Sequence, residues 1–189
     1  MIREDLSRFA EHVLWVGPRG ACTQGQAAHL AARLYQAWAR DQGLLPHEPI
    51  GLSVQTRPAD LVALLAGLLH PGDLFLLHPR APKPERARLR DQVGFRELEV
   101  PDRVEPGSGA PPPGPVASTA RGERRPKGDR KRVALFTSGS TGAPKAVCLD
   151  ERSLRAAARA SAANLGWRSH DRWLLSIPLA HVGGLSILT

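Results

Sequence analysis

At 189 residues, 42% of them apolar, the chain is long enough for one ordinary core and too apolar for a disordered protein. Its net charge of +8 is concentrated: residues 121–132 hold seven basic residues against two acidic ones and no aromatic ring on which a base could stack, so nucleic-acid binding is not expected. Two cysteines, Cys22 and Cys148, are too few for a disulfide framework and lack the spacing of a zinc site, which suits a cytoplasmic protein with reduced thiols and no structural metal.

The opening MIREDLSRFAEHVLWVG is charged and has neither a long apolar run nor a small-residue cleavage site, so no secretory leader is expected. Thr23 followed by Gln26 is a capping-box pattern. Ala27, Leu30, Ala31, Leu34 and Trp38 then recur at helical spacing, and Gly43 stops them. PIGLSV (49–54) reads as a short apolar strand. Thr56 and Pro58 open a second helix over 59–69, which Pro71 and Gly72 end. Its greasy stretch, LVALLAGLLH, is far short of the roughly 20 residues of a membrane span. DLFLLH (73–78) is a further strand, residues 84–93 a charged helix, and FRELEV (95–100) a third strand. Strand–helix–strand–helix–strand implies right-handed crossovers, hence an α/β fold with a mostly parallel sheet covered by helices.

Residues 106–119 contain five prolines and three glycines, which excludes a helix or a central strand, and the basic run follows directly. The expectation is a disordered linker over 106–131 that divides a first α/β subdomain, 1–105, from a second segment, 132–189. RVALF (132–136) is read as a strand, AVCLD (146–150) as another, ERSLRAAARASAANL (151–165) as an Ala-rich helix stopped by Gly166, and RWLLSIP (172–178) as a last strand.

Between the strands at 132–136 and 146–150 lies TSGSTGAPK. Thr137, Ser138, Ser140 and Thr141 supply four hydroxyls, Gly139 and Gly142 allow the backbone to approach a ligand, and Lys145 adds a mobile positive charge behind Pro144. Successive backbone N–H groups in such a turn make an anion nest, and the whole suits phosphate oxygens. It is not a Walker loop, since proline precedes the lysine and a strand rather than a helix follows.

TSGSTGAPKAV resembles the phosphate-binding signature of the adenylate-forming superfamily, which includes acyl-CoA synthetases, peptide-synthetase adenylation domains and luciferases. The usual form has glycine where this chain has Ala146. Residues 49–94 are similar to the strand–helix–strand and proline-rich early region of that family. LGWRSHDRWLLSIPLAHVGGLSIL resembles its next motif in the form found in o-succinylbenzoate–CoA ligases of menaquinone synthesis, with His181, Gly183 and Gly184 on the matching positions. By itself a lone histidine in an apolar segment is better read as a packed, hydrogen-bonded residue; the remaining six histidines show no ligand spacing and receive no role.

The resemblance implies part of the large N-terminal domain of an adenylate-forming enzyme. It places ATP phosphates on Thr137, Ser138, Gly139, Ser140, Thr141, Gly142 and Lys145, and an acyl or ATP pocket beside His181, Gly183 and Gly184. ATP, Mg²⁺, CoA and a small-molecule carboxylate are the implied ligands. In the family a carboxylate attacks the α-phosphorus of ATP, pyrophosphate leaves, and a thiol then displaces AMP. The family's adenine-stacking aromatic-Gly-x-Thr-Glu segment, its ribose-binding Asp and its C-terminal-domain Lys match nothing here. An incomplete portion, inactive alone, is therefore expected. An enzyme for a fatty or aryl acid and a non-catalytic remnant of the fold are the alternatives.

Overall fold

The computed structural model describes residues 11–17, 20–104, 132–137, 144–168 and 171–188. The stretch 106–131, read above as a disordered linker, and the loop residues Ser138, Gly139, Ser140, Thr141 and Gly142 lie outside the described residues.

An antiparallel hairpin comes first, β1 (Val13–Gly17) and β2 (Gly20–Thr23), with a bulge between Val13 and Trp15. The charged opening gives no sign of it, because the apolar run is short and its strand character comes from pairing. Leu14 and Trp15 are pinned by packing against the main core. Helix α1 (Gln24–Asp41) begins at the capping box: Thr23 N–H donates to Gln26 Oε1 at 2.9 Å and Gln26 N–H donates to Thr23 Oγ1 at 3.3 Å. Ala27, Leu30, Ala31 and Trp38 form its buried stripe. The helix closes with Leu44 N–H on Trp38 O and Gly43 in the left-handed region at φ +60°.

Three parallel strands follow, β3 (Ile50–Ser53), β4 (Leu74–Leu77) and β5 (Arg96–Leu98), linked by α2 (Pro58–Leu69) and α3 (Lys83–Val93). β6 (Arg132–Thr137) is parallel to β4, and β7 (Lys145–Asp150) is antiparallel to β6. The order is β5-β3-β4-β6-β7, so one sheet takes strands from both sides of residues 105–131. The α2 crossover runs from β3 to β4; the α3 crossover returns across β3 to β5. Equal handedness puts the two helices on opposite faces. The packing agrees. Ile50, Leu52, Leu74, Leu76, Val133 and Leu135 share a core with α2, whereas Phe75, Leu77 and Ala134 pack with Leu89 of α3 and with Phe95. β4, covered on both faces, is buried throughout, which is why LFLL reads as an unbroken apolar run.

The N-cap of α2 is Arg57, not Thr56 as the sequence suggests. Pro58 holds the first helical position, and the buried Asp60 carboxylate turns back to accept Arg57 N–H at 2.9 Å and Arg57 Nη2 at 2.9 Å. A charged pair with backbone donors satisfies the site better than the Thr56 hydroxyl two residues before the helix. At the other end of the sheet, Asp73 accepts Arg132 N–H at 3.0 Å and Arg132 Nη2 at 2.6 Å, tying the start of β6 beside the start of β4. Helix α4 (Glu151–Leu165) runs as expected, capped by Asp150 accepting Ser153 N–H at 2.7 Å and stopped by Gly166 at φ +65°.

Residues 172–178 are not a strand. Among the described strands none pairs with them, and Trp173 and Leu174 are 51% and 83% exposed. An apolar run becomes a strand only where a neighbour satisfies its backbone, and here the chain turns instead into a short helix, α5 (Val182–Leu185). Cys22 and Cys148 are both free; burial pushes the Cys22 thiol up to about 11, while Cys148 is exposed. No helix among the described residues is long and apolar enough to cross a membrane.

Candidate functional site

The parallel strands β3, β4 and β6 end on one side of the sheet, the side where ligands of open α/β sheets bind. Gln55 lies just past β3, His78 just past β4, and Thr137 closes β6. Leu76 of β4 is paired with Leu135 of β6, so two residues further along the neighbouring strands stand His78 and Thr137, at one level of the sheet edge.

The hydroxyl–glycine–lysine loop is the connection of a β6–β7 hairpin that opens at this edge. Thr137 pairs with Lys145 across its base, and Thr137 Oγ1 donates to Lys145 O at 3.4 Å. The strand starts at Lys145, one residue earlier than its sequence suggests, so the lysine backbone is held in the ladder while its side chain is exposed. A cation on a fixed backbone at the mouth of a backbone-rich loop can meet an anion without ordering a free chain first.

The second motif arrives from far along the chain. Leu179 N–H donates to Gln55 O at 2.9 Å, which moors the segment at the carboxyl end of β3. Leu179, Ala180 and Leu185 are buried and anchor the turn, leaving His181 exposed at the N-cap of α5. Gly184 explains part of the glycine pair. It is buried, and a Cβ there would lie 2.3 Å from Pro178 O and 2.5 Å from Ile177 O. Those are backbone atoms and cannot swing away. Gly184→Ala is expected to cost about 1–3 kcal/mol of stability, the range for overpacking, whereas Gly183→Ala, whose Cβ would meet only the Ile177 Cδ1 methyl at 3.3 Å, costs less. Urea midpoints of the two variants check this; equal midpoints would remove the close-approach argument.

His181 meets a residue to which the sequence assigns no role. The rings of His78 and His181 stand edge to face, with centroids 5.0 Å apart and an interplanar angle of 64°. His78 Nδ1 accepts Arg80 N–H at 3.1 Å, so in the neutral ring the proton sits on Nε2. Burial, then His181, then Arg80 hold the His78 imidazole below the ordinary histidine range, with Glu85 acting the other way. The signal that marks His78 in the sequence is slight: a polar residue directly after a fully buried strand.

Thus Thr137 and Lys145 are brought together, and His181, Gly183 and Gly184 form one turn moored to the same sheet edge. A separate cleft of about 920 Å³ opens beside the edge strand β5, lined by Trp38, Arg57, Arg86, Glu97 and Asp102 among others. It contains neither motif, and two of its arginines are already paired, Arg57 with Asp60 at 2.9 Å and Arg86 with Glu97 at 2.6 Å. No group of three or more His, Cys, Asp or Glu that could hold a metal occurs among the described residues.

Residues 91–189 match the family described as AMP-binding enzyme. The 2-succinylbenzoate–CoA ligase of Bacillus licheniformis is 45% identical over 60 residues, which is 32% of this chain and 13% of that protein. O-succinylbenzoate coenzyme A synthetase from Bacillus subtilis in complex with AMP superposes with a TM-score of 0.77 at 20% identity, over 100% of this chain and 52% of that one. The same synthetase in complex with ATP and magnesium ion gives a TM-score of 0.76 at 19% identity, covering 100% and 53%. The chain therefore spans about half the length of the solved proteins it resembles. The family match covers β6, the hairpin loop, β7 and the His181 turn, so the two motifs that meet at this sheet edge fall inside it: the chain belongs to the AMP-binding enzyme family.

Proposed function

We propose that the chain forms the front part of the ATP and acyl site of an acid–CoA ligase that acts on o-succinylbenzoate in menaquinone synthesis. The observation that carries this reading is the convergence of two distant motifs, the Thr137–Lys145 hairpin and the Leu179–Leu185 turn, on the carboxyl ends of β3, β4 and β6. The choice of acid is supported by the 45% identity to a 2-succinylbenzoate–CoA ligase.

In this reading the hairpin holds the β- and γ-phosphates of ATP. Thr137, Ser138, Ser140 and Thr141 donate through hydroxyls, Gly139 and Gly142 admit the phosphates to the backbone, and Lys145 neutralises charge as pyrophosphate leaves. His181, with Gly183 and Gly184 shaping its turn, borders the acyl carboxylate. A carboxylate oxygen attacks the α-phosphorus, the bond to pyrophosphate breaks, and the acyl-adenylate forms. The sulfur of CoA then attacks the acyl carbonyl and AMP leaves. Magnesium would enter on the ATP phosphates, and no residue of this chain is assigned to it.

The test is ATP–pyrophosphate exchange by an enzyme of the relatives' length whose front part is residues 1–189. Exchange that requires o-succinylbenzoate is expected, and the 189-residue chain alone should give none. Exchange with fatty or aryl acids but not with o-succinylbenzoate would reassign the substrate; activity of residues 1–189 alone would show that this part already holds a complete site.

A further inference from the structure

We propose that His78 is a positioning residue for His181, holding that ring at the carboxyl edge of β4 through an edge-to-face contact. The proposal rests on the reading of the Leu179–Leu185 turn as part of the acyl site. Among the described residues the His181 ring makes its ring contact with His78 and forms no side-chain hydrogen bond, although its backbone is firmly held. Its N–H donates to Pro178 O at 2.9 Å and its carbonyl accepts Leu185 N–H at 2.9 Å. The turn therefore places the Cα of His181, and His78 restricts where the imidazole points.

His78 suits this task because it is itself fixed. It follows the fully buried strand β4, precedes Pro79, and has Nδ1 engaged by Arg80 N–H at 3.1 Å. That hydrogen bond needs an unprotonated Nδ1, so it selects the neutral ring. The charged and titratable groups acting on His78 are His181 from the motif turn, Arg80 from the loop after β4, and Glu85 from α3. The first two oppose a positive charge on His78 and Glu85 favours it. A neutral His78 offers His181 an aromatic partner; a protonated one would lose the Arg80 hydrogen bond and repel a neighbouring cation.

Two substitutions separate packing from proton chemistry. His78→Asn removes the ring, and His78→Phe keeps an aromatic ring that cannot titrate. In the 189-residue chain, ¹H–¹³C NMR of the histidine rings should show a contact between the His78 and His181 protons. In His78→Asn, the contact and the ring-current shift it puts on His181 vanish. In His78→Phe, a ring-current shift on His181 stays. In the full-length enzyme, His78→Asn should raise KM for o-succinylbenzoate by about 2–12-fold with a smaller change in kcat, the factor expected for an aromatic pair. His78→Phe, which keeps an aromatic partner, should bring KM back toward the parent value. His181 signals indifferent to His78→Asn, or a Phe variant as impaired as the Asn variant, would overturn the positioning role. If the parent enzyme shows no exchange with o-succinylbenzoate, the proposed function falls, and the NMR measurements alone decide whether His78 orients His181.

Discussion

Lys145→Ala in the full-length enzyme should slow adenylate formation by about 10²–10³-fold, the order found when one donor aimed at developing charge is removed. The backbone of Lys145 is the first rung of β7, paired with Thr137, so the ammonium starts from a fixed base at the mouth of the hairpin. Its side chain is exposed. The fold should hardly notice the change, within about 0.5 kcal/mol. ATP–pyrophosphate exchange and calorimetric ATP binding measure the loss, and a urea titration verifies that the fold is intact. Lys145→Arg retains charge but changes its shape, and should recover activity only in part. Unchanged exchange kinetics in Lys145→Ala would overturn the proposed phosphate role of the lysine.

The largest effect on stability should come from Trp38→Ala, at about 3–5 kcal/mol. Trp38 is 1% exposed on the buried stripe of α1, and its Nε1–H donates to Glu99 O at 3.3 Å, joining that helix to the chain beyond β5. Truncation opens a cavity in the core shared by α1, α2 and the sheet and removes the hydrogen bond to Glu99 O. Domains are typically stable by only about 5–15 kcal/mol, so the variant should be marginal. Leu174→Ala is the matched control. Leu174 is 83% exposed and its loss should change stability by no more than about 0.5 kcal/mol. Denaturant midpoints followed by circular dichroism compare the two. Had residues 172–178 been the buried strand their apolar pattern suggests, Leu174→Ala would instead cost several times more, so a large effect there would reopen that assignment.

Local features were legible in the sequence because their physics is local. The Thr23–Gln26 capping box, Pro58 at the start of α2 and the glycine stops at Gly43 and Gly166 each involve residues within a few positions of one another, and the structure forms all of them. The apolar runs of β3 and β4 announced strands, and the structure places both inside the sheet, where burial on both faces leaves no room for polar alternation. The expectation for the loop from Thr137 to Lys145 has the same local origin: hydroxyls, glycines and a lysine within nine residues suit phosphate oxygens without a distant partner, and the proposed function rests on that expectation.

Tertiary structure decided what depends on distant neighbours. Asp73 and Arg132, 59 positions apart, set β6 beside β4, and no spacing rule links them. Residues 172–178 form no strand because none of the described strands pairs with them, while β1 and β2 gained theirs by pairing with each other. Gly184 is required because two backbone carbonyls of the preceding turn lie where its Cβ would go. His78 meets His181 because Leu179 is moored to Gln55 at the end of β3, next to β4, so that residues 103 positions apart along the chain become ring neighbours 5.0 Å apart. Sequence order carries the short-range energies of caps, turns and burial patterns; which strand ends meet, and hence which side chains share the site, is set by long-range pairing and packing.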